Sequence, residues 1–450
     1  MPAPRSISVY GDENLPEKVD VVIIGGGIAG CSTALELAER GIKVALCEKG
    51  GIGREQSGQN WGWVRIGCRD TREIPLMTHG LSIWPELEQR TGYETGYKRC
   101  GITFWSVKEK EQAFNESWLT RFRALGLKEN DIGARLIDTR DLMDMYPNSS
   151  LRGKDGLYVS ADGRAEPHKV IPALALGARA KGAHILTECA VRGLETAAGR
   201  VCGVVTERGT IKCSSVVLAG GLWSNLFLEN LKNSQLRFPQ LTVLNSVQRT
   251  APVPDGPEVS FWSSDFALRK GDDQGYVIAS SHSNIADLSP KSFKYFLDYL
   301  PILKTEWSSV SLRFSRFPEE ARIPSHWKLD EESPFEYARV KDPVPSRKYL
   351  DQALNNAGAA MSVFKNVQIV KRWGGYIDTL PDVIPVISDI PAIPGFFIAS
   401  GFSGHGFGLG PAAGRLMANL VSGEKPIVDP YPFRFTRFSD GSKIYAEGGL

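Results

Sequence analysis

The sequence predicts an α/β fold in which a domain built on a parallel sheet is interleaved with a second, mixed-sheet domain. Three observations carry that expectation. Val21-Val22-Ile23-Ile24 is a continuous β-branched apolar run, as a strand buried on both faces of a parallel sheet requires. It enters the turn Gly25-Gly26-Gly27-Ile28-Ala29-Gly30, then a segment whose Ala34, Leu35, Leu37 and Ala38 form a helical stripe that Gly41 ends. Val44-Ala45-Leu46-Cys47 is the second buried strand, with Glu48 at its end. Strand, glycine turn, helix and acid-tipped strand together make a Rossmann-like βαβ unit.

The later elements follow in order. Residues 153–163 read as turns around a short strand, and a helix is expected over about 167–181. Strands are expected over 183–186, 201–205 and 215–219, the last running into Gly220-Gly221. Phe396-Phe397-Ile398-Ala399-Ser400 is a further strand, followed by a glycine-rich turn and a helix from about Gly410 to Leu420. The intervening segments are richer in aromatic residues, prolines and mixed patterns. The expected division is therefore 18–70, 151–235 and 366–435 for the first domain, 71–150 and 236–365 for the inserted one, and tails at 1–17 and 436–450. No internal repeat or low-complexity tract is present.

Composition narrows the function classes. The 450 residues hold 53 basic and 51 acidic side chains, a balance without the electrostatic footprint of nucleic-acid binding. Seven scattered cysteines without a C-x-x-C pair argue against a disulfide framework, a structural zinc site and a dithiol redox centre. The first twenty residues lack the apolar core of a signal peptide and no later segment approaches a spanning helix, so a soluble, cytoplasmic protein is expected. His79, His168, His184, His282 and His326 have no metal-ligand spacing, and no metal is expected.

With 46 glycines in the chain, Gly25-x-Gly27-x-x-Gly30 carries weight only through its context. Gly25 permits the tight turn, Gly27 lets the backbone approach a pyrophosphate, and Gly30 lets helix and strand pack closely. The helix N-terminus offers N–H groups to phosphates, and Glu48 accepts hydrogen bonds from a ribose diol. The segment GREQSGQNWGWVR that follows shows neither a strand nor a helix period. It must be shaped around something else.

In that segment Ser57-Gly58-x-Asn60-x-Gly62 resembles the flavin-contacting loop of the D-amino acid oxidase, glycine oxidase and sarcosine oxidase family of FAD-dependent oxidoreductases. The resemblance continues in the family's order. Asp162-Gly163-x-Ala165-Glu166-Pro167 is similar to the turn before the long helix, and Ala190-Val191 to the strand end contacting adenine. Val217-Leu218-Ala219-Gly220-Gly221-Leu222-Trp223-Ser224 resembles the segment passing the pyrophosphate. Trp373-Gly374-Gly375 with Leu380-Pro381-Asp382 and Pro385, then Gly401 through Pro411, resemble the motifs near the flavin ring. The family implies an FAD-binding domain of glutathione reductase type interleaved with a mixed-sheet substrate-binding domain. It implies cofactor contacts at Gly25, Gly27, Ile28, Ala29, Gly30, Glu48, Lys49, Arg54, Ser57, Gly58, Asn60, Trp61, Gly62, Val191, Ala219, Gly220, Trp223, Gly404, His405, Gly406, Phe407 and Gly408, with His405, Trp373 and Arg65 as catalytic candidates.

The chain departs from the family at two points. The cysteine that carries flavin in monomeric sarcosine oxidases is matched here by Gly375, and no histidine lies between Gly53 and Arg65, so noncovalent FAD is expected. The arginine that grips a substrate carboxylate after the W-x-G step is matched by Ile377, leaving Arg65, Arg322 and Arg372 as substitutes. Trp61 and Trp63 either wall the cavity or belong to the core, and Trp262, Tyr276 and Tyr337 either line a pocket or pack. The resemblance implies oxidation of the C–N bond of a small amine or amino-acid-like substrate by hydride transfer to flavin N5, giving an imine that hydrolyses. A 2-hydroxy acid dehydrogenase using His405 as base, and a flavoprotein subunit of a hetero-oligomeric amine or opine dehydrogenase, are the alternatives. A homo-oligomer and a partner electron acceptor stay open.

Overall fold

The computed structural model describes residues 7–147, 149–281, 284–306 and 310–447; His282 lies outside them. A six-stranded sheet runs in the order Val386–Asp389, Phe396–Ser400, Ser215–Leu218, Val21–Ile24, Val44–Cys47, His184–Leu186. All neighbours are parallel except the antiparallel edge strand Val386–Asp389. Alternation along the strands divides its two faces. Val21, Ile23, Val44 and Leu46 pack under the helices Ile28–Glu39, Pro167–Ala180 and Gly406–Ser422, while Val22, Ile24, Ala45 and Cys47 pack toward a small antiparallel sheet. That small sheet comprises Val191–Ala197, Arg200–Thr206 and Gly209–Lys212, so the strand expected over 201–205 forms outside the parallel sheet.

A ten-stranded mixed sheet makes the second layer system. Its longest pairing joins Leu241–Thr250 to Ile369–Thr379 antiparallel. Ile102–Ser106 and Ser260–Trp262 pair in parallel, bringing the two inserted segments together. Strands Asp155–Val159 and Ile369–Thr379 belong to this sheet although they fall beyond the boundaries expected at 151 and 366. Conversely, the helix Ile74–Ile83 packs on the helix Gly406–Ser422 over the parallel sheet.

Two local differences from expectation matter for the site. The segment 53–65 contains a one-turn helix, Gln56–Gln59, and a short strand, Trp63–Val64, pinned to Gly163–Arg164. The C-terminal helix begins at Gly406 instead of near Gly410. Its glycines are tolerated because the first helix lies against them. A Cβ on Gly410 would sit 2.6 Å from Ile28, and one on Gly414 would sit 2.4 Å from Ser32.

Candidate active site

One end of the candidate site is built at the head of the first helix. Gly25 has φ +114, and a Cβ there would lie 2.4 Å from the Ala219 carbonyl; a Cβ on Gly30 would lie 2.0 Å from the Gly25 carbonyl. These two glycines secure close packing. Glu48 accepts hydrogen bonds from the Gly26 N–H (2.7 Å) and the Gly50 N–H (2.8 Å), so its carboxylate is held at the tip of its strand. Burial raises its pKa, opposed by Lys49 and those two amides. The helix has no cap of its own at Gly27; Ser57 supplies one, its Oγ accepting from the Ile28 N–H at 2.9 Å.

Gly25, Gly26, Glu48, Ser57 and Ala219 line a cavity of about 650 Å³ that continues to the inserted segments. Gly25, Gly27, Ile28, Ala29, Glu48, Lys49, Arg54, Ser57, Asn60, Trp61, Val191, Ala219, Gly220 and Trp223 border it, as do Arg65, Gly404, His405, Gly406 and Phe407. The N-terminus of the C-terminal helix therefore opens onto the same space as that of the first helix. Two positive helix ends around one cavity, with a carboxylate at the first, suit an anionic dinucleotide whose far ring gains negative charge on reduction.

Gly30, Gly58, Gly62, Gly408 and Trp373 stand behind this lining. Gly62 has φ +79 and abuts Arg269, while the Gly408 carbonyl accepts from Trp84 Nε1 at 2.9 Å. Trp373, expected as catalytic, is buried with Val247 and Val277 and donates from Nε1 to the Gln59 carbonyl at 2.9 Å. It holds the backbone of the 53–65 loop from behind. Asn60 braces the same loop, donating to the Ser57 carbonyl and accepting from the Gly62 N–H, each at 2.6 Å. The loop is fixed further by a buried pair: Glu166 accepts from Arg269 Nη1 (2.6 Å) and Nη2 (3.1 Å), and Arg269 Nε donates to the Trp61 carbonyl.

At the other end the walls are aromatic and polar. Trp61 and Trp63 both border the cavity and meet edge to face at 5.3 Å, and Trp61 Nε1 donates to Asn245 Oδ1 at 3.0 Å. Trp262 also lines it; Tyr276 is buried away with its hydroxyl on the Pro257 carbonyl, and Tyr337 is exposed. Arg65 donates from Nη1 to the Gly67 carbonyl at 2.7 Å. Arg372 pairs with Asp351 at 2.6 Å and Arg322 is exposed; neither borders the cavity.

Sequence reasoning missed the charged cluster beside Arg65. Arg69 is buried at the cavity wall, its Nε on the Arg65 carbonyl (3.2 Å), and its nearest carboxylate, Glu73, is 3.9 Å from Nη1. Glu73 has no solvent exposure and lies 2.8 Å from His405 Nδ1. Burial pushes Glu73 well above the usual carboxylate range, with Arg69 opposing; burial and then Arg69 and Arg65 push His405 well below its usual value. Reasoning from sequence also missed the tail. Ala446 and Glu447 line the cavity, and Glu447 Oε2 accepts from the Thr71 N–H (3.0 Å), Thr71 Oγ1 (2.6 Å) and Arg121 Nη1 (3.1 Å). The Glu447 N–H donates to Asp70 Oδ2 at 3.2 Å, and Arg72 Nη2 to the Tyr445 carbonyl at 2.9 Å.

A mixed α/β protein whose glycine turn opens into a second, sheet-walled chamber has the architecture of a flavoprotein-type fold. The chain belongs to the FAD-dependent oxidoreductase family, whose model matches residues 20–420, as the motif resemblance implied. FAD is the cofactor this membership implies. The structure of an L-amino acid deaminase from Proteus myxofaciens superposes with a TM-score of 0.92 at 32% identity, covering 97% of this chain and 98% of that one. Glycine oxidase of Pseudomonas aeruginosa is 25% identical over 92% of this chain and 97% of its own length. Mitochondrial sarcosine dehydrogenase of Mus musculus is 24% identical over 94% of this chain, which spans only 42% of that protein. Among the described residues no helix is long and apolar enough to cross a membrane.

Proposed function

We propose that this chain oxidises the C–N bond of a small amine or amino-acid-like substrate, with FAD held noncovalently. One observation carries the reading: a single cavity joins the Gly25–Ala29 turn and Glu48 to a chamber bordered by Arg65, Arg69, Trp61 and Asn245. The relatives point the same way, since they include an L-amino acid deaminase, a glycine oxidase and a sarcosine dehydrogenase. We read the parallel sheet and its helices as the cofactor domain and the ten-stranded sheet as the substrate domain.

When bound, FAD supplies a two-electron acceptor for the hydrogen on the carbon next to nitrogen, leaving an imine that water hydrolyses. The amides at the head of the first helix and Glu48 would hold its diphosphate and ribose, and the head of the C-terminal helix would stabilise charge on its ring. Noncovalent attachment is supported by Gly375 at the cavity wall and by the two bordering cysteines. Burial pushes the Cys68 thiol up to about 12, and the neighbouring Cys189 and then burial raise Cys47 well above its usual value, so neither is a thiolate at neutral pH. Arg65 and Arg69 form the cationic wall for a substrate carboxylate. Trp61, Phe104 and Trp262 exclude water from the reacting carbon and favour an amine in its neutral form. Seven free cysteines suit a reducing, cytoplasmic setting.

The test is an anaerobic screen of the FAD-loaded protein with amines, N-methyl amino acids, D- and L-amino acids and opine-like conjugates. Bleaching of the visible flavin band by one of these classes is expected; bleaching by 2-hydroxy acids alone would overturn the amine reading. Rapid return of colour on readmitting oxygen marks an oxidase, and slow return directs the electrons to a partner acceptor.

A further inference from the structure

The contact between Glu73 and His405 joins the starts of two helices. His405 occupies the N-cap of Gly406–Ser422, whose first residues border the cavity, and Glu73 the N-cap of Ile74–Ile83. They meet at 2.8 Å with both side chains almost wholly buried. Three buried polar atoms in this cluster lack a hydrogen-bond partner: His405 Nε2, Glu73 Oε1 and Arg69 Nη1. The charged groups acting on the pair are Arg65, Arg69, Asp70 and Arg72, and Asp70 is already committed to Arg72 at 2.7 Å. An ionised Glu73 therefore has Arg65 and Arg69 beside it, both shared with the buried Asp162, and makes only the 3.9 Å contact with Arg69. A full bond has been given to the histidine instead.

Between them Glu73 and His405 hold one or two exchangeable protons. With one, the pair is a carboxylate and a neutral ring and carries one negative charge; with two, it is neutral overall whichever atom holds the second. We propose that this pair takes up a proton when the bound flavin is reduced, with Glu73 acting as the positioning residue that sets the charge of His405 at the head of the C-terminal helix. The inference rests on the FAD reading above. Two electrons from the amine add one negative charge and one proton to the flavin, and a second proton passes from solvent to the pair, removing its own negative charge. Without that proton, two like charges would face each other across a poorly solvated wall.

The measurement is the midpoint potential of the bound flavin against a reference dye, from about pH 6 to about pH 10, in the loaded protein and in Glu73→Gln. Each proton taken up with two electrons lowers the potential by about 30 mV per pH unit. Burial places the pair's proton loss above the ordinary carboxylate range, so the wild-type slope should steepen from about 30 to about 60 mV per unit toward alkaline pH, one proton becoming two. Glu73→Gln, which keeps a hydrogen-bond donor for Nδ1 but cannot ionise, should hold the shallow slope throughout. Glu73→Met, which also cannot ionise, should do the same and serves if Glu73→Gln fails to fold. A purely structural contact would lower melting temperature in the variants and leave all slopes equal; equal slopes in flavin-loaded proteins overturn the coupling alone. A polypeptide that takes up no FAD overturns the cofactor reading and the coupling with it.

Discussion

Ser57 shows how a single side chain can be read twice. In sequence it is one of several small residues in an irregular loop; in space its hydroxyl caps a helix that has no cap of its own. Ser57→Ala should cost about 1 kcal/mol of stability in the FAD-free protein. It should also weaken FAD binding by up to about tenfold, checked by melting and by flavin fluorescence titration. Glu166 gives a pH signature. Burial alone would raise its pKa, but Arg269 and Arg249 override that and hold it at about 2, against 4.5 for an ordinary glutamate. A depressed folded value means stability that is present above the ordinary pKa and lost as pH falls through the folded one. The contribution, about 3 kcal/mol, should vanish between about pH 4.5 and about pH 2. Glu166→Gln should be less stable by about 3 kcal/mol at neutral pH and show a correspondingly shallower acid limb in denaturant midpoints. Glu73 and Arg69 escaped notice in the sequence for a definite reason. They sit in the charged run Arg69-Asp70-Thr71-Arg72-Glu73, which reads as a solvated face until burial is known.

Elements set by local backbone demands were legible; those set by a distant partner were not. The strand Val21–Ile24 and the glycine turn after it announce themselves, because burial on both faces and close backbone approach restrict which residues can serve. The start of the C-terminal helix was hidden, since three alternate glycines from Gly406 to Gly410 look like a turn unless the first helix is known to lie against them. Gly414→Ala separates the two influences. In an isolated helix alanine is favoured over glycine by about 1 kcal/mol, but here the added carbon meets Ser32 side chain and backbone at 2.4 and 2.6 Å. Overpacking of this kind costs about 1–3 kcal/mol, so a net loss of stability and of FAD affinity is expected, read from melting curves and cofactor titration.

At the scale of the molecule, the cavity lies where the parallel sheet's helices meet the strands of the mixed sheet, and neither sheet encloses it alone. The half beside the glycine turn could be anticipated because one contiguous stretch, 24–61, supplies much of it. The chamber beyond draws single residues from distant segments, such as Asn245, Ile377 and Glu447, and no spacing rule links them. With the Cys47 and Cys68 thiols both raised by their surroundings, the cavity should release its flavin completely on acid or heat denaturation. All visible absorbance should pass a size-exclusion filter, and colour retained on the precipitated chain would mark a covalent bond.

The clasp of Thr71, Arg121 and Asp70 on Glu447 has a practical corollary for anyone handling this protein. Glu447 is the fourth residue from the carboxyl end of the sequence and a wall of the chamber. A tag joined close behind Glu447 would therefore pull on a wall of the chamber.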